Sequence, residues 1–134
     1  MSATAQSIPL QELFDLYGLA WASRDPDRIA MFHAEDGVFC LHGADAEDVV
    51  GRDAIRETFA GFLAEWPELG FEPIRVRGGD DFYVVEWRFS AERDGQHIEW
   101  DAVDVIAWDG DLIARKDTYV DALSVMAQVP ELAA

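Results

Sequence analysis

Asp104 sits in the run Val103-Asp104-Val105-Ile106, a carboxylate among apolar neighbours in a stretch that reads as strand. Such a group is costly to bury unless it is paired, bound to a ligand or neutral. Tyr17 falls on an apolar stripe at helical spacing, so its hydroxyl either joins a site or reaches the surface from a core position. Glu86 and Arg88 flank Trp87, and residues two apart on a strand share a face. Inside a pocket that pair could orient a polar substrate or hold a water. On the outer face the charges are solvated, and Val85, Trp87 and Phe89 point inward, which simple alternation favours. Further on, Ala114, Lys116, Thr118 and Val120 share one face of a strand, and Arg115, Asp117, Tyr119 and Asp121 share the other.

His42 follows Leu41 in a short strand pattern, and the one-residue step points it to the face opposite Leu41. It reaches a site on the Leu41 side only if the strand bulges there. His33 and His97 lie near the ends of predicted elements and are expected to be exposed. The chain has no glycine-rich phosphate loop, no Cys-x-x-Cys, no His pair at metal-ligand spacing and no serine in a nucleophile elbow. The acidic stretches Asp80-Asp81 and 43–48 read as turns, so no metal is expected.

The charge balance narrows the partners. Against 27 acidic residues stand ten basic ones, a net charge of −17 over 134 residues. That surface repels phosphate backbones and anionic lipid, which argues against nucleic-acid and membrane partners. Half the residues are apolar, with five Trp and eight Phe, enough for one sizeable core in a single domain spanning 1–134. The N-terminus lacks a basic region followed by an apolar block, and Cys40 is the only cysteine. Both features fit a protein of a reducing, cytoplasmic compartment.

These residues must be positioned by helices followed by strands. Leu10, Leu13, Phe14, Tyr17, Ala20 and Trp21 mark the buried stripe of a helix over 8–23. Asp25-Pro26 caps and opens a short second helix, and a brief strand over 38–42 follows the Asp36-Gly37 turn. Ile55, Phe59, Phe62, Leu63 and Trp66 give a third helix its inner face, ended by Pro67. Strands are predicted over 71–77, 82–92, 97–108 and 112–122, joined by turn signals such as Asp94-Gly95 and Asp109-Gly110. The tail from Leu123 reads as a loose helical turn. The class is α+β: three N-terminal helices packed on a curved antiparallel sheet, a cone-shaped barrel with an internal pocket.

Several segments carry a family resemblance. They are 21–29 (Trp-Ala-Ser-Arg-Asp-Pro-Asp-Arg-Ile), Phe32 with 35–39, 50–55 (Val-Gly-Arg-Asp-Ala-Ile), 84–88, 109–113 and 119–121. In these the chain resembles the nuclear-transport-factor-two-like superfamily, in its SnoaL-like and ketosteroid-isomerase-like branch. The resemblance implies a pocket between the helices and the concave sheet face, cofactor-independent chemistry, a small hydrophobic molecule as ligand, and a homodimer formed through the outer sheet face. Tyr17 falls where the isomerases place an oxyanion-hole tyrosine, and Asp104 where they place its protonated acid partner. Two such donors stabilise a developing enolate oxygen, the arrangement for which ketosteroid isomerase is the standing example.

The sequence departs from these patterns in two places. The isomerase base position falls near Leu41, which cannot shuttle a proton. The epoxide-hydrolase branch uses Arg-x-Asp on one strand and an Asp on the last; here Glu86-Trp87-Arg88 reverses the order, and Thr118 takes the final position beside Asp117. The expectation is therefore a proton-transfer enzyme (isomerase, cyclase or dehydratase) acting on a hydrophobic carbonyl or hydroxyl compound. Tyr17 and Asp104 would polarise the substrate oxygen, with His42, Glu86 or Asp117 as base. Trp21, Phe39, Leu41, Phe59, Phe62, Arg88, Trp100, Lys116, Thr118 and Val120 would line the pocket. The alternative is a module that binds a ligand or a partner chain without chemistry.

Overall fold

The computed structural model describes residues 8–43 and 45–133. The seven N-terminal residues, on which the leader reading rests, and Ala44 of the acidic loop lie outside them. Helix α1 spans Leu10–Ala22 and buries Leu13, Tyr17 and Ala20, the centre of the predicted stripe. Pro26 opens α2 (Pro26–Ala30), and the Asp25 carboxylate accepts from the Asp27 N–H as its cap. Strand β1 (His33–His42) leads through the two-residue β2 (Val49–Val50) to α3 (Arg52–Glu65). The strands β3 (Gly70–Gly78), β4 (Phe82–Arg93), β5 (Gln96–Asp109) and β6 (Leu112–Val120) follow.

One six-stranded sheet runs in the order β2-β1-β6-β5-β4-β3. It is curved, and β2 and β3 remain as edges, so the cone is not closed into a barrel. Pro73 is tolerated in β3 because that strand lies at an edge. Register shifts at Pro73/Arg75 and Ala107/Trp108 supply local bends. The sheet is mixed, not purely antiparallel, because β1 pairs with β6 in parallel. Strand β1 also begins at His33, five residues before the predicted start, and its register shifts between His33 and Val38. Gly37 permits that irregular passage: a Cβ there would meet the carbonyl oxygens of Ala34 and Ile113 at 3.0 and 3.1 Å.

The tail is more ordered than a loose turn. Helix α4 (Ala122–Gln128) is capped by Asp121, which accepts from the Ser124 N–H, and a short 3-10 turn covers Pro130–Ala133. Two groups of buried side chains result. One joins α1, α2 and α3 to the middle of the sheet through Leu13, Ile29, Ile55, Phe59, Ile106 and Ile113. The other joins the far ends of β4 and β5 to the tail through Trp66, Ile98, Trp100 and Val129.

Candidate active site

A cavity of about 600 Å³ lies between the helices and the concave face of the sheet, lined by members of both groups. Its wall is dominated by aromatic rings, among them Trp21, Phe39, Phe59, Phe62, Trp87 and Trp100. Leu41 and Val120 also line it, as the sequence suggests. The tail contributes Val125, Met126 and Leu132, which no periodicity in so short a segment foreshadows.

Thr58, Glu65 and Tyr83 also line the cavity, but one connected polar set stands out in its wall. Asp104 of β5 and Thr118 of β6 are direct partners across an antiparallel ladder, so their side chains stand together on one face. The Thr118 hydroxyl donates to Asp104 Oδ1 at 2.5 Å, and Trp87 Nε1 of β4 donates to Oδ2 at 2.9 Å. Two residues along β6, Lys116 occupies the same face and brings Nζ to 3.9 Å from Asp104 Oδ2. Nζ also donates to the Tyr17 hydroxyl at 3.1 Å, and Tyr17 lies 2.8 Å from His33 Nε2. A string thus runs from His33 through Tyr17 and Lys116 to Asp104, and all four residues are buried.

Three ring faces surround the lysine, with Tyr17, Trp21 and Phe59 centred 4.9, 4.8 and 5.2 Å from Nζ. Rings and carboxylate favour the ammonium form, whereas removal from water favours the amine. Burial prevails and lowers the Lys116 pKa, with Asp104 opposing it. Burial also raises the Tyr17 pKa well above the usual phenol value, and the Asp104 charge adds to that. The His33 imidazole is pushed down to about 3, first by burial and then by the Lys116 and Arg52 charges. A neutral His33 accepts the Tyr17 hydroxyl proton at Nε2, leaving the hydroxyl oxygen to accept from Lys116. The His33 Nδ1 is buried with no hydrogen-bond partner among the described residues.

The proposed site residues divide between the two faces of the sheet. Tyr17, Asp104, Lys116 and Thr118 line the cavity, but Tyr17 and Asp104 are not a pair of donors to one point. Lys116 stands between them and draws Asp104 into an ion pair. Glu86 and Arg88 face outward, where Glu86 pairs with Arg75 at 2.6 Å and Arg88 with Asp101 at 2.5 Å. Alternation on β4 prevails because Val85, Trp87 and Phe89 carry the apolar area that the core requires. His42 and Asp117 also lie on the outer face, 2.7 Å apart, so neither reaches the cavity as a base. Among the histidines expected at the surface, His97 is exposed, while His33 is fully buried.

An aromatic hollow between helices and a curved mixed sheet, with a buried polar string in its wall, defines an α+β cone with an internal pocket. The SnoaL-like domain family model matches residues 11–116, and the chain belongs to that family. Solved structures agree on the fold. A Catenulispora acidiphila protein of ketosteroid-isomerase-like fold, in complex with trimethylamine, superposes with a TM-score of 0.78 at 20% identity, over 87% of this chain and 91% of its own. A Jannaschia protein assigned as a SnoaL-like polyketide cyclase gives 0.78 at 18% identity over 90% of each chain. AclR of Streptomyces galilaeus, assigned as a hydroxylase, gives 0.77 at 15% identity over 90% of this chain and 95% of its own. No curated protein sequence matches the chain.

Proposed function

We propose that the cavity takes a flat, largely apolar carbonyl compound and that Asp104 and Lys116 transfer a proton on it. One observation carries the reading: two oppositely charged groups, 3.9 Å apart and both buried, stand in the wall of a single aromatic cavity. An ammonium has three N–H donors. One goes to Tyr17 and one faces Asp104, leaving the third for a substrate carbonyl oxygen. Asp104 removes the proton on the carbon beside that carbonyl, and Lys116 balances the enolate charge as it forms. Return of the proton at another carbon is isomerisation, and attack of the enolate on a second carbonyl of the same molecule is cyclisation.

This assignment reverses the role first expected of Asp104, from neutral donor to charged acceptor. A donor set of Thr118, Trp87 and Lys116 suits a carboxylate, not a carboxylic acid. The second reading is binding without chemistry, supported by the three partners that already occupy Asp104. Dimerisation through the outer sheet face belongs to either reading, with half-exposed Tyr119 and Ile74 on that face as its support.

The test is deuterium uptake from D2O into a panel of cyclic and polycyclic ketones, read by mass spectrometry. Binding is followed in parallel by the fluorescence of the cavity tryptophans. Catalysis predicts exchange at the carbon beside the carbonyl that Asp104→Asn lowers at least a hundredfold while binding persists. Ligands that bind the wild type without any exchange would leave the binding reading in its place.

A further inference from the structure

On the outer face of the sheet, away from the cavity, the fold gathers three side chains of a different chemistry. Cys40 and His42 are two residues apart on β1 and share a face, and Asp117 is the direct partner of Cys40 on β6. The Cys40 thiol, a ring nitrogen of His42 and a carboxylate oxygen of Asp117 all lie within 4.8 Å of one another. We propose that these three residues bind a divalent transition-metal ion of the zinc class.

The donor types choose the metal. Thiolate, imidazole and carboxylate together suit a borderline-soft ion, not calcium or magnesium, which prefer oxygen alone. Bonds of about 2.0–2.3 Å place tetrahedral ligand atoms about 3.3–3.7 Å apart. His42 Nε2 and Asp117 Oδ1, now 2.7 Å apart, need only part for an ion to enter. His42 is 30% exposed and Asp117 16%, which gives solvent a path to the site and leaves a fourth position open to water.

The surroundings also suit a metal. Ligating carboxylates and imidazoles are normally held by partners of their own. Arg115 donates to both Asp117 oxygens at 2.9 Å and is itself anchored by Asp48 at 3.1 Å. Tyr119 stacks on the His42 ring with centroids 4.1 Å apart, fixing its plane. With Cys40 as thiolate, three negative groups (Cys40, Asp48, Asp117) surround one positive group (Arg115). The formal sum is −2, which a divalent cation cancels. The inference is independent of the chemistry in the cavity.

Cobalt(II) is the probe, added to the reduced, chelator-treated full-length protein. The expected result is one equivalent bound, with the near-ultraviolet charge-transfer absorption of a cobalt–thiolate bond and displacement of cobalt by zinc. Cys40→Ser abolishes that absorption, and His42→Gln and Asp117→Asn each weaken binding about tenfold or more. His97→Gln, which alters an exposed histidine on the β4–β5 hairpin, leaves it unchanged. The proposal is overturned if folded wild-type protein gives no thiolate band at saturating cobalt. It is equally overturned if the band survives Cys40→Ser, or if cobalt affinity is the same in His42→Gln and Asp117→Asn as in the wild type.

Discussion

Lys116 Nζ lies 3.9 Å from Asp104 Oδ2, and the two side chains are only 6% and 7% exposed. Each member of such a pair has lost its hydration, so the attraction between them largely offsets the cost of burying them. What the arrangement supplies is placement. Strand pairing fixes Asp104 against Thr118, and the ring faces of Tyr17, Trp21 and Phe59 hold the lysine stem and head. A charge placed where water is scarce acts on a bound substrate with little screening.

Breaking the pair from one side should be costly, and breaking it from both sides much less so. Asp104→Asn leaves a buried ammonium with one hydroxyl and three ring faces, at an expected loss of about 3 kcal/mol in urea denaturation. Adding Lys116→Met replaces the cation by an apolar chain of similar length and should restore most of that loss. The double-mutant cycle then shows a coupling of roughly 2 kcal/mol. Additive effects would mean that the two charges do not sense each other in the folded protein.

On the proposed proton transfer, Thr118 acts by positioning Asp104. Its hydroxyl donates to Asp104 Oδ1 at 2.5 Å, and Thr118→Val removes that donor with little change of shape. A hydrogen bond to a charged group is worth about 1.5–3 kcal/mol. The variant should lose roughly tenfold or more in exchange rate while ligand affinity, read by tryptophan fluorescence, changes little. A loss confined to affinity would assign Thr118 to binding alone.

Much of the frame was legible because periodicity reports burial directly. The stripe of α1 and the cap at Asp25 follow from residue spacing. On 82–92 spacing left two faces open: alternation favoured Val85, Trp87 and Phe89 inward, as the sheet has them, while the resemblance set Glu86 and Arg88 in the pocket. Asp104 announced the need for a partner through its apolar neighbours. Which partner it takes depends on cross-strand register, which spacing does not encode, so the donor pair of Tyr17 and Asp104 gave way to an ion pair. The depth of His33 was also hidden. It is buried by the parallel pairing of β1 with β6 and by α1 lying over it, both long-range events. The Cys40, His42 and Asp117 cluster is of the same kind, since Asp117 is 75 residues beyond His42.

Glu86 gives a prediction of no effect. It pairs with Arg75 on the outer face, and exposed ion pairs contribute about 0–1 kcal/mol. Glu86→Gln should leave the exchange rate and ligand affinity unchanged and shift stability by no more than about 0.5 kcal/mol. A large loss of exchange would return Glu86 to the site.

His33 should make the protein less stable as the pH falls through mild acidity. Its folded pKa is about 3 against the ordinary imidazole value of 6.5, because burial and the Lys116 and Arg52 charges all oppose the imidazolium. Between these values the unfolded chain binds a proton that the native state refuses, so stability rises with pH there and levels off above 6.5. Well inside the window the slope is about 1.4 kcal/mol per pH unit. The carboxylate and the other shifted histidine act elsewhere. Against partial burial, Arg115 and His42 hold Asp117 below 3.8, so it contributes at lower pH. His97, raised by the Glu92 hydrogen bond, loses its small contribution only as the pH rises past 6.5. Urea midpoints at pH 5.0, 5.5 and 6.0 measure the effect on the order of one proton. His33→Gln keeps an acceptor for the Tyr17 hydroxyl but takes up no proton, so its midpoints should fall less steeply over the same interval. Equal slopes for the two proteins would show that His33 does not titrate as a buried neutral imidazole.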